Sequence, residues 1–380
     1  MPTTLIERQR DFSREFRGEG LMPSGFDALC QMGLEGDVAT LPQVKIKGID
    51  IYQEDKFLIH AEPEFFLQDP GVKWVSQPAL LEMLVSKCEE NSDFSFFRGW
   101  RCTGIVEHNG RVKGIKIVRG SETRQIEGDI VIGADGRTSV LRRLLNPKLH
   151  VYKQIIDVVW FKLPRPEFLN PGIGLVSVSP GNACLSFPVY GDQLQVGWLI
   201  KKGHFGEIKR QGKEVWFQNL PNSLPKHFAS HLEKYHDKAS DYFVLDVACS
   251  RLQNWHHRGV LMIGDASHTM SPVGAQGINL ALRDSIVTAN ELIPVLEGDT
   301  ENTNSIDMAF ERIQCERIEE VKRIQKFQQV PPKLIFLQNT LARLFVSNLP
   351  WLSRRGLVKR LFSRLGRAFA FGHSDVTLRV

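Results

Sequence analysis

Gly264-Asp265-Ala266-Ser267-His268-Thr269-Met270-Ser271-Pro272-Val273-Gly274-Ala275-Gln276-Gly277-Ile278-Asn279 follows the apolar run Val260-Leu261-Met262-Ile263 and leads into a helical pattern that reaches about Leu292. A buried strand, an acid at its carboxyl end, a glycine-bearing loop and then a helix is the order in which open α/β sheets present groups to a ligand. Asp265 suits the task of accepting hydrogen bonds from ligand hydroxyls. Gly264, Gly274 and Gly277 permit close approach of bare backbone. The helix expected from about Ile278 turns its positive end on the same place.

A second stretch repeats the construction. Ile130-Val131-Ile132 runs into Gly133-Ala134-Asp135-Gly136-Arg137-Thr138-Ser139-Val140-Leu141-Arg142, again with an acid and a glycine just past a β-branched strand. The continuous apolar character of both strands fits a parallel sheet covered on its two faces. A dinucleotide matches these residue types: its ribityl and ribose hydroxyls suit an ionised Asp, and its pyrophosphate suits backbone amides.

Taken together, the two stretches carry a family resemblance. Gly264–Asn279 resembles the second FAD motif of the para-hydroxybenzoate-hydroxylase-like flavoprotein monooxygenases, in which G-D-A-x-H is followed by a proline and a glycine loop ending in G-x-N. Gly133–Arg142 resembles the same family's G-A-D-G-x-x-S-x-x-R motif, which serves FAD and NAD(P)H. The motifs lie about 130 residues apart in the family's order, and the resemblance extends to about residue 330. One departure is Ala275, which stands where the loop is usually glycine-rich.

The resemblance implies FAD as cofactor and NADPH or NADH as reductant. It further implies O2 as co-substrate and hydroxylation or epoxidation of an aromatic or isoprenoid-like organic molecule through a flavin C4a-hydroperoxide. It assigns cofactor contacts to Glu7, Arg8, Arg17, Gln77, Asp135, Gly136, Gly264, Asp265, Pro272, Gly274, Gly277, Ile278 and Asn279. The chemistry being the flavin's, no catalytic side chain and no metal is expected, and His268 is read as structural. The family places a first strand, a glycine loop and a helix ahead of the ribose-binding acid, whereas six residues precede Glu7. Two other readings keep these motifs: a flavin-dependent reductase or dehydrogenase of prenyl or lipid substrates, and a flavin-free scaffold.

Outward from the motifs, Thr3–Arg8 reads as a strand, residues 21–36 as a helix with Leu21, Phe26, Leu29, Met32 and Leu34 on one face, and Pro78–Glu90 as a second helix. Residues 94–132 alternate strands with turns at Asn109-Gly110 and Arg119-Gly120. Between 150 and 250 the pattern becomes antiparallel, with Leu185–Tyr190 and Gln193–Trp198 joined through Gly191-Asp192. A long helix over about 305–329 should end at Pro331-Pro332. The expected fold is α/β, a Rossmann-like FAD-binding domain cut short at its N-terminal edge and carrying an inserted antiparallel sheet. Its segments are 1–149 and 251–330 for the cofactor, 150–250 for the substrate, and 331–380 as a tail.

The chain has 380 residues, 42% of them hydrophobic and 24% charged, an ordinary globular composition. Its six cysteines are scattered without metal-ligand spacing, and they suit a reducing, cytoplasmic setting. The net charge of +5 hides an asymmetry: from Lys333 onward nine Lys/Arg face one acid, leaving a net −3 for the remainder. A basic body for nucleic acid is therefore not expected. In the tail, Leu357, Val358, Leu361, Phe362, Leu365 and Phe369 share one face of a helix whose other face bears Lys359, Arg360, Arg364 and Arg367. Such a helix either packs on the body, the reading we favour, or makes a peripheral membrane contact through residues 351–371.

Overall fold

The computed structural model describes residues 1–13, 19–62, 69, 71–179, 181–211, 217, 220, 224–240, 242–298, 302–336, 347–348, 351, 366–367 and 370–380. In chain order the elements are β1 (Thr3–Glu7), β2 (Gly20–Leu21), α1 (Pro23–Gln31), α2 (Glu35–Ala39), β3 (Gln43–Ile46), β4 (Gly48–Gln53), β5 (Lys56–Ala61), β6 (Val72–Val75) and α3 (Gln77–Glu89). There follow β7 (Phe94–Arg98), β8 (Arg101–His108), β9 (Arg111–Arg119), β10 (Glu122–Glu127), β11 (Val131–Gly133), α4 (Val140–Leu145), β12 (Leu149–Val151), β13 (Ile156–Pro164), β14 (Ile173–Ser179), β15 (Asn182–Val189) and β16 (Gln193–Lys201). The remainder is α5 (Phe205–Gln211), α6 (Lys226–Tyr235), β17 (Phe243–Leu245), β18 (Ser250–Leu252), β19 (His256–His257), β20 (Val260–Met262), α7 (Gln276–Leu296), α8 (Thr303–Gln328) and α9 (Val330–Phe336).

The expected α/β class is borne out. Parallel pairing joins β1 to β7 and, separately, β11 to β20, with Val131 opposite Val260 and Gly133 opposite Met262. The main core lies around β20, where Val260, Leu261 and Met262 pack with Ile286 and Val287 of α7 and Ile313 and Val321 of α8. These helices supply the cover that a continuously apolar strand requires.

Seven strands, in the order β17-β13-β16-β15-β14-β4-β5, form the largest sheet. Because β4 and β5 come from residues 48–61, that layer is not confined to the 150–250 segment assigned to it from the sequence. Its two faces differ. Phe161, Leu163, Leu194, Val196 and Trp198 form one core with Phe228 and Leu232 of α6. The intervening residues, among them Trp160 and Leu185, point to the opposite side, as the two-residue period of a strand demands. On that side Phe187 stacks on Trp74 of β6, with ring centroids 4.4 Å apart.

Local signals explain most boundaries. Asn109 and Gly110 both have positive φ, the backbone that a tight hairpin between β8 and β9 requires. The helix expected over 21–36 is instead two, because Gly33 turns left-handed at φ 77° and its amide bonds back to the Cys30 carbonyl. Pro331 and Pro332 close α8 as expected, yet they sit in the first turn of α9, where a missing N–H costs nothing. The basic amphipathic tail over 357–369 lies outside the described residues apart from Gly366 and Arg367.

Candidate active site

At the end of β20 the chain turns through Gly264 at φ 55° and presents Asp265, half-buried, before the loop to α7. Burial pushes the Asp265 carboxyl up from its usual range, against the lowering effects of His268, the Met270 amide, Arg137 and Arg142. Gly274, exposed at φ 74°, and Ala275, at φ 54°, then deliver the chain to Gln276, the first residue of a 21-residue helix. No side chain caps this helix at Ala275. A Cβ built at Gly277 would meet nothing within 4 Å. An uncapped helix N-terminus with open space above its first turn and an aspartate beside it is a donor set that suits a dinucleotide, so these residues fit FAD.

The rest of the loop is held rigidly by the chain itself. Asn279, fully buried, accepts from the Met22 amide (2.8 Å) and donates to the carbonyls of Gly20 (3.1 Å) and Ala275 (2.6 Å). It therefore locks the strand–helix entry of β2 and α1 onto the start of α7. Gly25 is obligatory there, since its Cβ would fall 2.1 Å from the Asn279 Oδ1. On the other flank Gln328 of α8 donates to the Ser271 and Val273 carbonyls and accepts from the Ser271 amide, bracketing Pro272. Ile278 turns into the core beside Leu29 and Leu80.

The Gly133–Arg142 motif meets the Gly264 motif through Arg142. Its guanidinium donates to the carbonyls of Asp265 (3.2 Å) and Ala266 (3.0 Å) and to that of Arg137. Asp135 does local work: its carboxylate accepts from the Val140 amide (2.6 Å) and the Leu141 amide (3.3 Å) at the start of α4. Gly136, at φ 77°, faces open space.

Glu7 and Arg8 stand at the carboxyl end of β1, which pairs parallel with β7, and the Glu7 carboxylate accepts from the Gln9 amide at 2.7 Å. Gln77 opens α3, half-buried, next to the capping hydroxyl of Ser76. Arg17 lies outside the described residues. The geometry thus joins Gly264, Asp265, Pro272, Gly274, Gly277, Ile278 and Asn279 into one loop. Of the other expected contacts, the carboxylates of Glu7 and Asp135 are turned to backbone amides.

Sequence reasoning missed what lies behind the loop. Asp284, fully buried, accepts from the Gly264 amide (3.1 Å) and the Arg317 Nε (2.8 Å), and pairs with the His268 Nε2 (2.7 Å). Glu320 pairs with Arg317 and with Arg283, the latter at 3.1 Å. His268 thus belongs to a buried charge network, as a structural reading of it requires. In the sequence the only signal was His268 itself, because its partners lie scattered along helical patterns.

Compared with known proteins, residues 1–308 match the FAD binding domain family. The chain belongs to that FAD-binding family. The resemblance to FAD-dependent monooxygenases read from its two motifs is borne out, and the protein is an FAD-dependent oxidoreductase. Among relatives, it is similar to 6-methylpretetramide 4-monooxygenase of Streptomyces rimosus, with 27% identity covering 99% of this chain and 88% of that protein. It is also similar to squalene epoxidase 1 of Arabidopsis thaliana, with 23% identity over 77% of this chain, which spans 55% of that relative's length. The fold matches p-nitrophenol 4-monooxygenase PnpA of Pseudomonas putida DLL-E4 with a TM-score of 0.80 at 15% identity, covering 98% and 92% of the two chains.

Proposed function

We propose that this FAD-binding protein is an NADPH- or NADH-dependent monooxygenase that hydroxylates or epoxidises an aromatic or isoprenoid-like organic substrate, with O2 as co-substrate. The observation that carries the reading is the uncapped N-terminus of α7 beside Asp265, where Ala275 packs in one cluster with Trp74, whose ring stacks on Phe187 of the seven-stranded sheet. Bound FAD supplies two-electron reduction and oxygen activation, neither of which amino-acid side chains provide.

In this reading Asp265 holds ligand hydroxyls, Gly264 supplies the turn that brings it there, and the amides around Gly277 and Ile278 hold negative charge at the positive end of the helix. Pro272 and Asn279 fix the loop that presents Gly274. Glu7, Arg8, Arg17, Gln77, Asp135 and Gly136 complete the cofactor contacts, and Trp74 and Phe187 form the dry wall of the substrate space. The division into cofactor segments (1–149 and 251–330), a substrate segment (150–250, joined by β4 and β5 of the seven-stranded sheet) and a tail (331–380) belongs to the same proposal. Packing of residues 351–371 on the body is preferred to contact with anionic lipid. No described helix is long and apolar enough to cross a membrane. Six cysteines free of disulfides suit a cytoplasmic setting.

Asp265→Ala tests the site. The variant is expected to keep the wild-type fold by circular dichroism while losing FAD affinity by roughly tenfold to a hundredfold, the cost of a lost charged hydrogen bond. Undiminished flavin content would remove Asp265 from the cofactor site. Substrate-stimulated oxygen uptake separates a monooxygenase from a reductase of prenyl or lipid substrates, which would oxidise NAD(P)H without it.

A further inference from the structure

The last stretch of the chain is held between α1 and α7 by two carboxamides. Gln31 donates to the Val376 carbonyl (3.0 Å) and accepts from the Leu378 amide (2.6 Å). Asn290 donates to the Thr377 carbonyl (2.8 Å) and accepts from the Arg379 amide (2.6 Å). In an extended chain the carbonyl of one residue and the amide two places on face the same side. Each carboxamide therefore stands in for a neighbouring strand, Gln31 along one edge and Asn290 along the other. The Val376 side chain is buried in the main core, and Arg379 reaches Glu291 (3.1 Å) and Glu316 (3.5 Å).

Just before this stretch the chain closes over the buried charge network behind the loop. The His373 amide donates to Glu320 Oε1 at 2.8 Å, and the Ser374 carbonyl accepts from Arg283. Gly372 passes so close, at φ 86°, that a Cβ there would fall 2.6 Å from Glu320 Oε1 and 2.8 Å from Arg283 Cζ. The Arg283 and Glu320 side chains are 4% and 1% exposed. From Glu320 the contacts run inward without a gap. Glu320 pairs with Arg317, the Arg317 Nε donates to Asp284 (2.8 Å), and Asp284 accepts from the Gly264 amide (3.1 Å) at the head of the cofactor loop. Ion pairs of this kind are strong only while water is kept out, and the backbone at 372–374 fills the place that water would take at Arg283 and Glu320.

We propose that residues 372–380 form a strap that positions the cofactor loop, with Arg283 and Glu320 as the positioning residues that carry its docking to Gly264. Docked, the strap keeps the network dry and its carboxylates fixed, so that Asp284 holds the Gly264 amide and with it the turn that presents Asp265. Released, it admits water to Glu320 and Arg283, the pairs through Arg317 weaken, and the turn is free to open. The inference rests on the reading of residues 264–279 as the FAD loop and adds a distant part of the chain to that site.

Hydrogen exchange read by mass spectrometry on the full chain, with and without FAD, tests this. Gln31→Ala with Asn290→Ala frees the strap without touching the network, and Gly372→Ala wedges it away from Arg283 and Glu320. Both are expected to raise exchange of the amides at 374–379 and, with them, exchange of the Gly264 amide by roughly tenfold, and to weaken FAD binding by a similar factor. The paired strands β13 and β16 should exchange as in the wild type. A loosened strap with Gly264 unchanged overturns the proposal. So does a strap that stays protected in the double variant, or a rise spread evenly over the chain, which is general destabilisation. If Gly264 loosens while FAD affinity holds, the coupling stands and the cofactor reading of the loop fails, so the two are told apart.

Discussion

Two buried charge clusters flank the loop that leads to α7, and they are built differently. Behind the loop, Asp284, His268, Arg317, Glu320 and Arg283 interlock through contacts such as 2.7 Å and 2.8 Å at Asp284, and the same carboxylate holds the Gly264 amide. In front, Glu19, Lys162 and Tyr190 meet at 3.3 Å across residues drawn from β13, from the turn after β15 and from just before β2. Tight, backbone-anchored charge shapes a loop, whereas the front cluster ties the chain before β2 to the seven-stranded sheet through longer contacts. The comparison teaches that burial alone does not tell how firmly a charge cluster is tied; spacing and the backbone groups it holds do.

The largest expected effect breaks the rear cluster. Asp284→Ala takes one of its two carboxylate partners from the fully buried Arg317, which keeps Glu320, and leaves the His268 and Gly264 donors unanswered, which should cost about 3–5 kcal/mol of stability. Urea unfolding followed by fluorescence reads this directly. The front pair removed whole, as Glu19→Gln with Lys162→Met, should cost far less, because no single charge remains buried. Equal losses at the two places would erase the distinction.

The rear cluster also sets an acid limit. Burial alone would raise the Asp284 carboxyl, but His268 and Arg317 more than cancel it and hold the group at about 2. A carboxyl whose folded value is depressed contributes stability that is complete above its unfolded value, near 3.9, and is lost as pH falls through about 2. The expected contribution is roughly 2–3 kcal/mol, visible as a fall in the urea midpoint between about pH 4 and pH 2. In Asp284→Asn that part of the slope should vanish. Asp265 works in the opposite sense, since burial raises it; its contribution favours the fold at acid pH and fades as pH rises through its folded value.

Much of this was legible in the sequence, and the limits have a physical cause. Strand, acid, glycine loop and helix sit within sixteen consecutive residues, so Gly264–Asn279 could be read where it stands. The Asn109-Gly110 hairpin was legible for the same reason. The break at Gly33 was not, because an apolar stripe continues through it and only the φ of one residue differs. Gln325 and Gln328 look like the wet side of α8, yet both are fully buried and bind carbonyls of the loop, at Thr269 and Ser271. Lys162 and Glu19 are separated by 143 positions, and no local pattern can announce a contact that the sheet creates.

Ala275 offers the smallest effect and the finest test of the loop. Its left-handed backbone, φ 54° and ψ 39°, costs an L-residue about 1–2 kcal/mol. Glycine removes that strain, but it adds freedom to the unfolded chain worth about 0.4–1 kcal/mol and gives up the methyl contact beside Trp74. Ala275→Gly should therefore shift stability by no more than about 1 kcal/mol and leave FAD binding intact. Its value lies in combination. Gly20→Ala alone drives its new methyl to 2.7 Å from the Ala275 Cβ and should distort the loop. In the Ala275→Gly background the same change meets no methyl, so most of the loss should be recovered. Failure of that rescue in a thermal-melt double-mutant cycle would mean that the Ala275 methyl is not what demands glycine at position 20, since the Trp74 ring, 3.6 Å from the same point, leaves room for a Cβ.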